Sequence, residues 1–340
     1  MRNQIRYIVA AVVVVAGIAI IVATQGSAKK PSATPTTTTT TKSSTGPIAP
    51  LTGLPDPSGS ALKRPALVIK VEDDTNSLPQ WGVDQADVVY EEIINGGIPR
   101  LAAIFNQNAP TLVGPIRSVR PTDTQIVDPI GGIFAFSGGA PYAIASISTA
   151  PVKQIQESNA GSAMFRDNSR QAPYNLFGSA AALFALGAGS KPVPPIPLFQ
   201  YRPLGQGAVG TPVSKFVVNF PSIYPMTWTW DTTTHSWDRS TQFAGPDYTG
   251  NHVRESPKNV IVTYVNYVNG VGAFTSYANL QSGGVADVFT DGKEIVGTWA
   301  RHSPTTPIEY LNAKGKAIRL TPGQTWVELL NNGAPVTVTH

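Results

Sequence analysis

The sequence predicts an α+β fold, with a mixed α/β first half followed by a mainly antiparallel β second half. Short apolar runs bounded by glycine, proline or acidic residues recur through both halves and read as strands. The 31 glycines and 30 prolines favour turns and irregular connections over long helices. A proline-rich stretch at 191–213, too rich in proline for helix or central strand, divides a first domain at 51–190 from a second at 214–340. With 41% hydrophobic residues, the 340-residue chain can bury a sizeable core.

Composition excludes several functions. Net charge is +4, but Arg2, Arg6, Lys29 and Lys30 lie in the first 30 residues without a single acid. The rest is close to neutral and offers no argument for nucleic-acid binding. No cysteine is present, which excludes disulfides, cysteine-bound zinc, a cysteine nucleophile and the acylated cysteine of a lipobox. His235, His252, His302 and His340 show no ligand spacing, so neither metal nor cofactor is expected. There is no GxSxG and no local Ser/His/Asp signature.

Tyr7–Thr24 is an uncharged run of 18 residues, roughly 27 Å as a helix and enough to cross a bilayer. Arg2 and Arg6 keep residues 1–6 in the cytoplasm and place the body outside. A cleaved signal peptide with a site near Gly26-Ser27-Ala28 is the competing reading. The run is long for a signal peptide, so 7–24 is read as a transmembrane anchor. Residues 25–50, rich in Thr, Ser and Pro, read as a disordered stalk whose composition permits O-glycosylation.

Beyond the stalk the elements follow in order. Pro65–Val71 reads as a buried strand ending in Glu72-Asp73-Asp74, expected to be a solvated strand exit with a lesser claim to metal or catalytic chemistry. Residues 81–93 and 100–105 read as adjacent antiparallel strands joined through Gly96-Gly97. Alternation puts Glu91 and Glu92 on opposite faces, so they cannot serve one ligand as a carboxylate pair. The motif GPIRSVRP at 114–121 holds Arg117 and Arg120 between two prolines in an irregular segment. Such guanidiniums suit anionic or carbohydrate oxygens, and pairing with Asp123 or Asp128 is the structural alternative.

Residues 131–139 read as a strand running into Ser137-Gly138-Gly139, with a helix opening at Pro141. Backbone N–H groups there suit an anion, although neither the Walker A lysine nor the dinucleotide GxGxxG is present. Residues 164–177 add Arg166, Arg170 and Asn175 before an alanine-rich helix at about 178–187. After the crossing, strands are expected at Ser214–Phe220, Met226–Trp230, Asn259–Val265, Gly272–Leu280, Val285–Thr290, Glu294–Arg301 and Gln324–Leu330. Asp291-Gly292 and Asn312–Lys316 mark hairpin turns. Trp228, Trp230, Trp237, Trp299 and Trp326 read first as β core and second as a sugar-stacking platform.

Several stretches together resemble the YerB-like bacterial lipoprotein family, a domain of unknown function. They are PLTGLP at 50–55, QADVVYEE at 85–92, GGIPRLAAIF at 96–105, GPIRSVRP, FRDNSRQAPYNLF at 165–177, DGKEIVGTW at 291–299 and TPGQTWVEL at 321–329. The resemblance implies a membrane-tethered extracytoplasmic protein with N- and C-terminal family domains, and no established activity. The family's lipobox cysteine is absent here. The family pattern also carries histidines where Phe136 and Tyr174 stand, which argues against a histidine-dependent mechanism in this chain.

Three functions remain open. The leading one is a non-enzymatic envelope module that binds a cell-wall polymer or envelope protein through Arg117, Arg120, Arg166, Arg170, Ser137, Gly138, Gly139 and Asn175. The second is a hydrolase or transferase using Asp73, Asp74, Glu91 or Asp123, with Glu72 and Glu92 also available. The third is a structural or assembly role at the membrane surface.

Overall fold

The structure is a computed structural model that describes residues 46–189, 192–220, 224–242 and 244–340. The expected cytoplasmic start, the anchor at 7–24 and most of the stalk lie outside the described residues. Among the described residues no helix is long and apolar enough to cross a membrane. The end of the expected stalk belongs to the fold: Ile48 bridges Pro55, and Ala49 is buried.

Strands dominate. The first half runs β1 (Leu67–Glu72), β2 (Val88–Ile93), β3 (Pro99–Phe105), α1 (Pro121–Val127), β4 (Gly132–Phe136), α2 (Pro141–Ile147) and β5 (Val152–Gln156). A short hairpin, β6 (Met164–Arg166) and β7 (Leu176–Gly178), leads to α3 (Ala180–Gly187). The second half contributes β8 (Lys215–Phe220), β9 (Tyr224–Asp231), β10 (Ser236–Thr241), β11 (Asn259–Val268) and β12 (Tyr277–Asn279). It ends with β13 (Gly283–Thr290), β14 (Lys293–Ala300), β15 (Glu309–Asn312), β16 (Thr325–Asn331) and β17 (Val336–Thr339).

One twelve-stranded mixed sheet has the order β15-β14-β13-β11-β16-β2-β3-β1-β4-β5, with β12 on β11 and Thr211–Pro212 on β14. Strand β16 lies between β2 and β11, parallel to both. The two segments expected at 51–190 and 214–340 both contribute strands to this one sheet, and the described residues form one compact unit. The physical reason is edge pairing. Alone, the first half would leave β2 with an unpaired edge although every residue of β2 is buried. The proline-rich crossing is ordered in part, with Gln200–Tyr201 pairing parallel to Arg319–Leu320 and the buried Arg202 donating to the carbonyls of Arg319 and Gln206.

The hairpins fall where turn chemistry puts them. Ile93 faces Pro99 across β2 and β3, and Thr290 faces Lys293 across Asp291-Gly292, both of which have positive φ. The expected strand at 272–280 shrinks to β12, because Asn269, Gly270 and Gly272 take positive φ and turn the chain first. Helix α1 is an element the sequence reading missed. Pro121 opens it, and the Asp123 carboxylate accepts from the Arg120 backbone N–H at 2.6 Å.

A second sheet of five strands packs on the large one, ordered from the Gly245–Pro246 bridge through β10, β9 and β8 to β17. Its core is aromatic: the rings of Phe216 and Phe289 stack at 3.6 Å, and Trp228 meets Trp326 edge-on at 5.4 Å. Trp228, Trp237, Trp299 and Trp326 are all buried, so they fill the core and offer no sugar platform. Glu92 meets the α1 side and Glu91 meets the small sheet, which places α1 and the small sheet on opposite faces of β2.

Deleting residues 325–340 should abolish cooperative folding of both halves, since it strips the shared edge from β2 and β11. Urea denaturation followed by tryptophan fluorescence checks this, and a single sharp transition in the truncated chain would contradict the shared-sheet reading.

Candidate ligand-binding site

GPIRSVRP runs as an extended strip stitched on both sides. The Arg117 N–H donates to the Lys70 carbonyl at 2.9 Å, the Glu72 N–H donates to the Pro115 carbonyl at 3.0 Å, and the Ile116 N–H donates to the Leu176 carbonyl at 2.7 Å. Gly114 opens the strip at φ 151°, and a Cβ there would lie 2.8 Å from the Phe177 ring, so only glycine fits. The strip is thereby fixed across the C-terminal end of β1.

That fixed backbone aims Arg117. Its Nε donates to Glu72 Oε2 at 2.6 Å, and Glu72 is gripped from the other side by Arg100 Nη2 at 2.5 Å. Burial pushes the Glu72 carboxyl up, but Arg100 and Arg117 outweigh it and hold it below its ordinary range. The Arg117 guanidinium lies 5.5 Å over the ring of Tyr174, whose hydroxyl donates to Asp74 Oδ2 at 2.8 Å. Arg117 remains 21% exposed, and among the described residues its two Nη groups have no hydrogen-bond partner. A guanidinium gripped at Nε with both ends free is prepared for an incoming oxyanion or sugar hydroxyl.

Beside Tyr174 lies an open depression of about 450 Å³ lined by Asn76, Leu78, Pro79, Arg170, Gln171 and Tyr174. Arg170 is anchored there through Nη2 to the Ser77 carbonyl at 2.6 Å and Nη1 to the Pro79 carbonyl at 3.0 Å. Asp74 shapes the rim by accepting from the Asn76 and Ser77 backbone N–H groups. A second pocket, about 390 Å³, sits at the β15 edge against Leu198, Phe199, Ile308 and Ile318, with His302 and Glu309 at its rim. The first is the better candidate because polar groups from two separate segments, Asn76 with Arg170, Gln171 and Tyr174, converge there beside Arg117.

The arginines divide. Arg117 and Arg170 flank Tyr174, while Arg166 turns outward into a bidentate pair with Glu157 at 2.7 Å and donates to Asn175 Oδ1 at 2.8 Å. Asn175 is thus spent on positioning. Arg120 caps α1 and tucks beside Arg100. Burial first, then Arg100, push it below the usual arginine range, and its Nε has no partner among the described residues. Ser137 N–H donates to the Arg117 carbonyl and the Gly138 carbonyl accepts from Val119, so this segment braces the strip. A Cβ at Gly139 would lie 2.6 Å from Val119, which makes its glycine a packing requirement.

The carboxylates are engaged. Glu72, Asp73 and Asp74 were expected at a solvated strand exit, yet all three are buried because strip, loop and small sheet close over them. Asp123, expected to pair with Arg117 or Arg120 side chains, instead bonds Lys70 Nζ at 2.8 Å, with Glu92 as the other partner of that lysine. Burial pushes the Asp123 carboxyl up to about 6 against the pull of Lys70. Asp73 and Glu91 lie in a separate cluster with Arg239 on the other face. Lys70, Arg100, Tyr174 and Arg239 were not among the expected site residues. The legible signal was Lys70 itself, a lone charge inside an apolar strand.

Two family models cover most of this body. The N-terminal domain of a protein of unknown function (DUF3048) matches residues 51–192, and the C-terminal domain of that same family matches 216–327. The chain belongs to this YerB-like family. YerB of Bacillus subtilis (strain 168), described as a candidate lipoprotein, is 31% identical over 132 residues, covering 38% of this chain and 40% of YerB. The chain is also similar to the crystal structure of the YerB protein from Bacillus subtilis, with a TM-score of 0.73 at 20% identity, over 86% of this chain and 99% of that one. At that identity the likeness concerns the fold. The YerB-like fold therefore supplies the frame, and the Arg117 clasp is read from this chain's own residues.

Replacing Lys70 with Met should destabilise the protein by about 3–5 kcal/mol, because Glu92 and Asp123 would lose their buried cation. Denaturant unfolding measures this, and a loss below about 1 kcal/mol would show that the two acids are not held as ions.

Proposed function

We propose that the protein is a membrane-tethered, extracytoplasmic binding module that holds an anionic group of a cell-wall polymer between Arg117, Tyr174 and Arg170. The observation that carries this reading is the Arg117 guanidinium, gripped at Nε by Glu72, laid on Tyr174 and left with Nη groups that have no partner among the described residues. The adjoining depression supplies Asn76 and Gln171 as neutral hydrogen-bonding groups suited to sugar hydroxyls.

Catalysis is the weaker reading. Glu72, Asp73, Asp74, Glu91 and Asp123 all have ionic or hydrogen-bonding partners, which removes the ready general base that a hydrolase or transferase requires. An envelope protein carrying a surface carboxylate would satisfy Arg117 in the same way, and the test below separates the two. Membrane tethering rests on the apolar run at 7–24 and on the lipoprotein description of YerB. On this reading, with no lipobox cysteine in the chain, the uncleaved apolar run serves as the anchor.

Arg117→Ala should weaken retention on isolated cell-wall sacculi about tenfold or more, since a charge-assisted bidentate contact is lost. Thermal stability should change little, because Arg100 still compensates Glu72. Arg117→Lys should recover only part of the binding. Unchanged retention by Arg117→Ala would sink the proposal, and retention that survives removal of anionic polymer from the sacculi would point to a protein partner.

A further inference from the structure

On the face of the sheet opposite α1, Asp73, Glu91, Asp247, Glu255 and Glu328 gather around Arg239, and all six are buried. Arg239 Nη2 lies 2.6 Å from Asp73 Oδ2 and 3.1 Å from Glu91 Oε2, while Nη1 bonds Asp247. Glu91 and Glu328 stand directly opposite each other in the register of β2 and β16. Trp326 Nε1 donates to Glu91 Oε2 and Trp228 Nε1 donates to Glu328 Oε1, each at 2.9 Å. Gln80 donates to Asp73 Oδ1 at 2.5 Å. Both carboxylate oxygens of Glu255, and Oε2 of Glu328, have no hydrogen-bond partner among the described residues.

Arg254 reaches only the Asp247 carbonyl, Ser240 and the Asp238 carboxylate, so among the described residues the surrounding elements pair no second cation with these five carboxylates. The loop between β1 and β2 contributes Asp73, Gln80 and Asp84, and β9 contributes Trp228 and the Met226 sulfur. The segment after β10 contributes Asp247 and Glu255, and β11 contributes the Tyr267 hydroxyl, which donates to the Leu329 carbonyl. Among the described residues Arg239 alone opposes five carboxylates. Full ionisation would leave several uncompensated negative charges in a water-excluded seam, where the lost hydration of each is not repaid. No group of these acids has the arrangement to hold a metal ion among the described residues. The remaining way to neutralise them is hydrogen.

We propose that this seam is a proton-binding site, in which protons shared among Glu91, Glu328, Asp73 and Glu255 seat the five-stranded sheet on the large one. A protonated carboxyl donates its O–H to a neighbouring carboxylate, turning a repulsive contact into a hydrogen bond. Burial pushes Glu91 up to about 8 and Glu328 up to about 7, and carries Asp73 and Glu255 well above the carboxylate range. Burial also pushes Arg239 down, but the acids around it outweigh that and keep it charged.

The sign follows from these upward shifts. The folded state binds protons that the unfolded chain releases above its ordinary carboxylate range, so this stabilisation is complete at acid pH. It is lost as pH rises through about 7 to 8. Since the seam joins β2 and β16 to β9 and β10, proton release should loosen the small sheet before the α1 face.

The test is thermal unfolding of the full chain between about pH 6 and pH 9, with infrared detection of protonated carboxyl groups. The folding constant should fall about tenfold per pH unit for each proton released, and a protonated-carboxyl band should be present at neutral pH and vanish in alkali. Glu328→Gln, which keeps an acceptor for Trp228 and mimics the protonated acid, should flatten the pH dependence by about one proton. A midpoint that stays level or rises across this range overturns the proposal, as does a neutral-pH spectrum without the band. The wild-type spectrum decides the matter even if Glu328→Gln does not fold.

Discussion

Strand alternation at Glu91 and Glu92 partitions the buried charge of this protein between two faces of one sheet. Glu92 joins Lys70 and Asp123 beneath α1, and Glu91 joins Arg239 and Glu328 beneath the five-stranded sheet. The acids that end β1 are dealt out similarly: Glu72 grips Arg117 and Arg100, Asp73 takes Arg239, and Asp74 takes Tyr174. The Arg117 contact, the Arg239 cluster and the depression rim thus hang on three consecutive residues.

Buried ion clusters of this kind are poor sources of net stability compared with apolar packing of the same volume, but they penalise misassembly heavily. A one-residue slip of β2 against β16 would turn Glu91 toward Lys70 and Glu92 toward Arg239, and would send Tyr90 and Val89 to the wrong sides. Apolar neighbours would tolerate such a slip better than charges facing a single guanidinium. In this protein the seam joins the regions matched by the two family models.

The strand pattern of this fold was largely legible. Apolar runs with turn residues at their ends located β1 to β4 and most of the second half, and Asp291-Gly292 marked its hairpin by backbone chemistry alone. The expectation that Glu91 and Glu92 point apart needs only the two-residue period of a strand. Where the reading missed, local signals were weak or overruled. Helix α1 spans only seven residues, and Pro121, which opens it, also disfavours helix at Arg120 and so reads locally as a break. The solvated exit expected at Glu72–Asp74 failed because its cover comes from residues 114–120 and 239–247, distant in sequence.

The sequence by itself determined which segments are strands, that strand faces alternate, that cysteine chemistry is absent, and that Arg117 sits in a proline-bounded strip. These follow from local properties: side-chain period, backbone restriction and residue inventory. Only the tertiary structure decided that β16 slides between β2 and β11, that Tyr174 comes to rest beneath Arg117, and that five acids share Arg239. Each of those is a contact between residues far apart in the chain, set by which edges must be paired and which charges must be covered. No periodicity along the chain records such a choice.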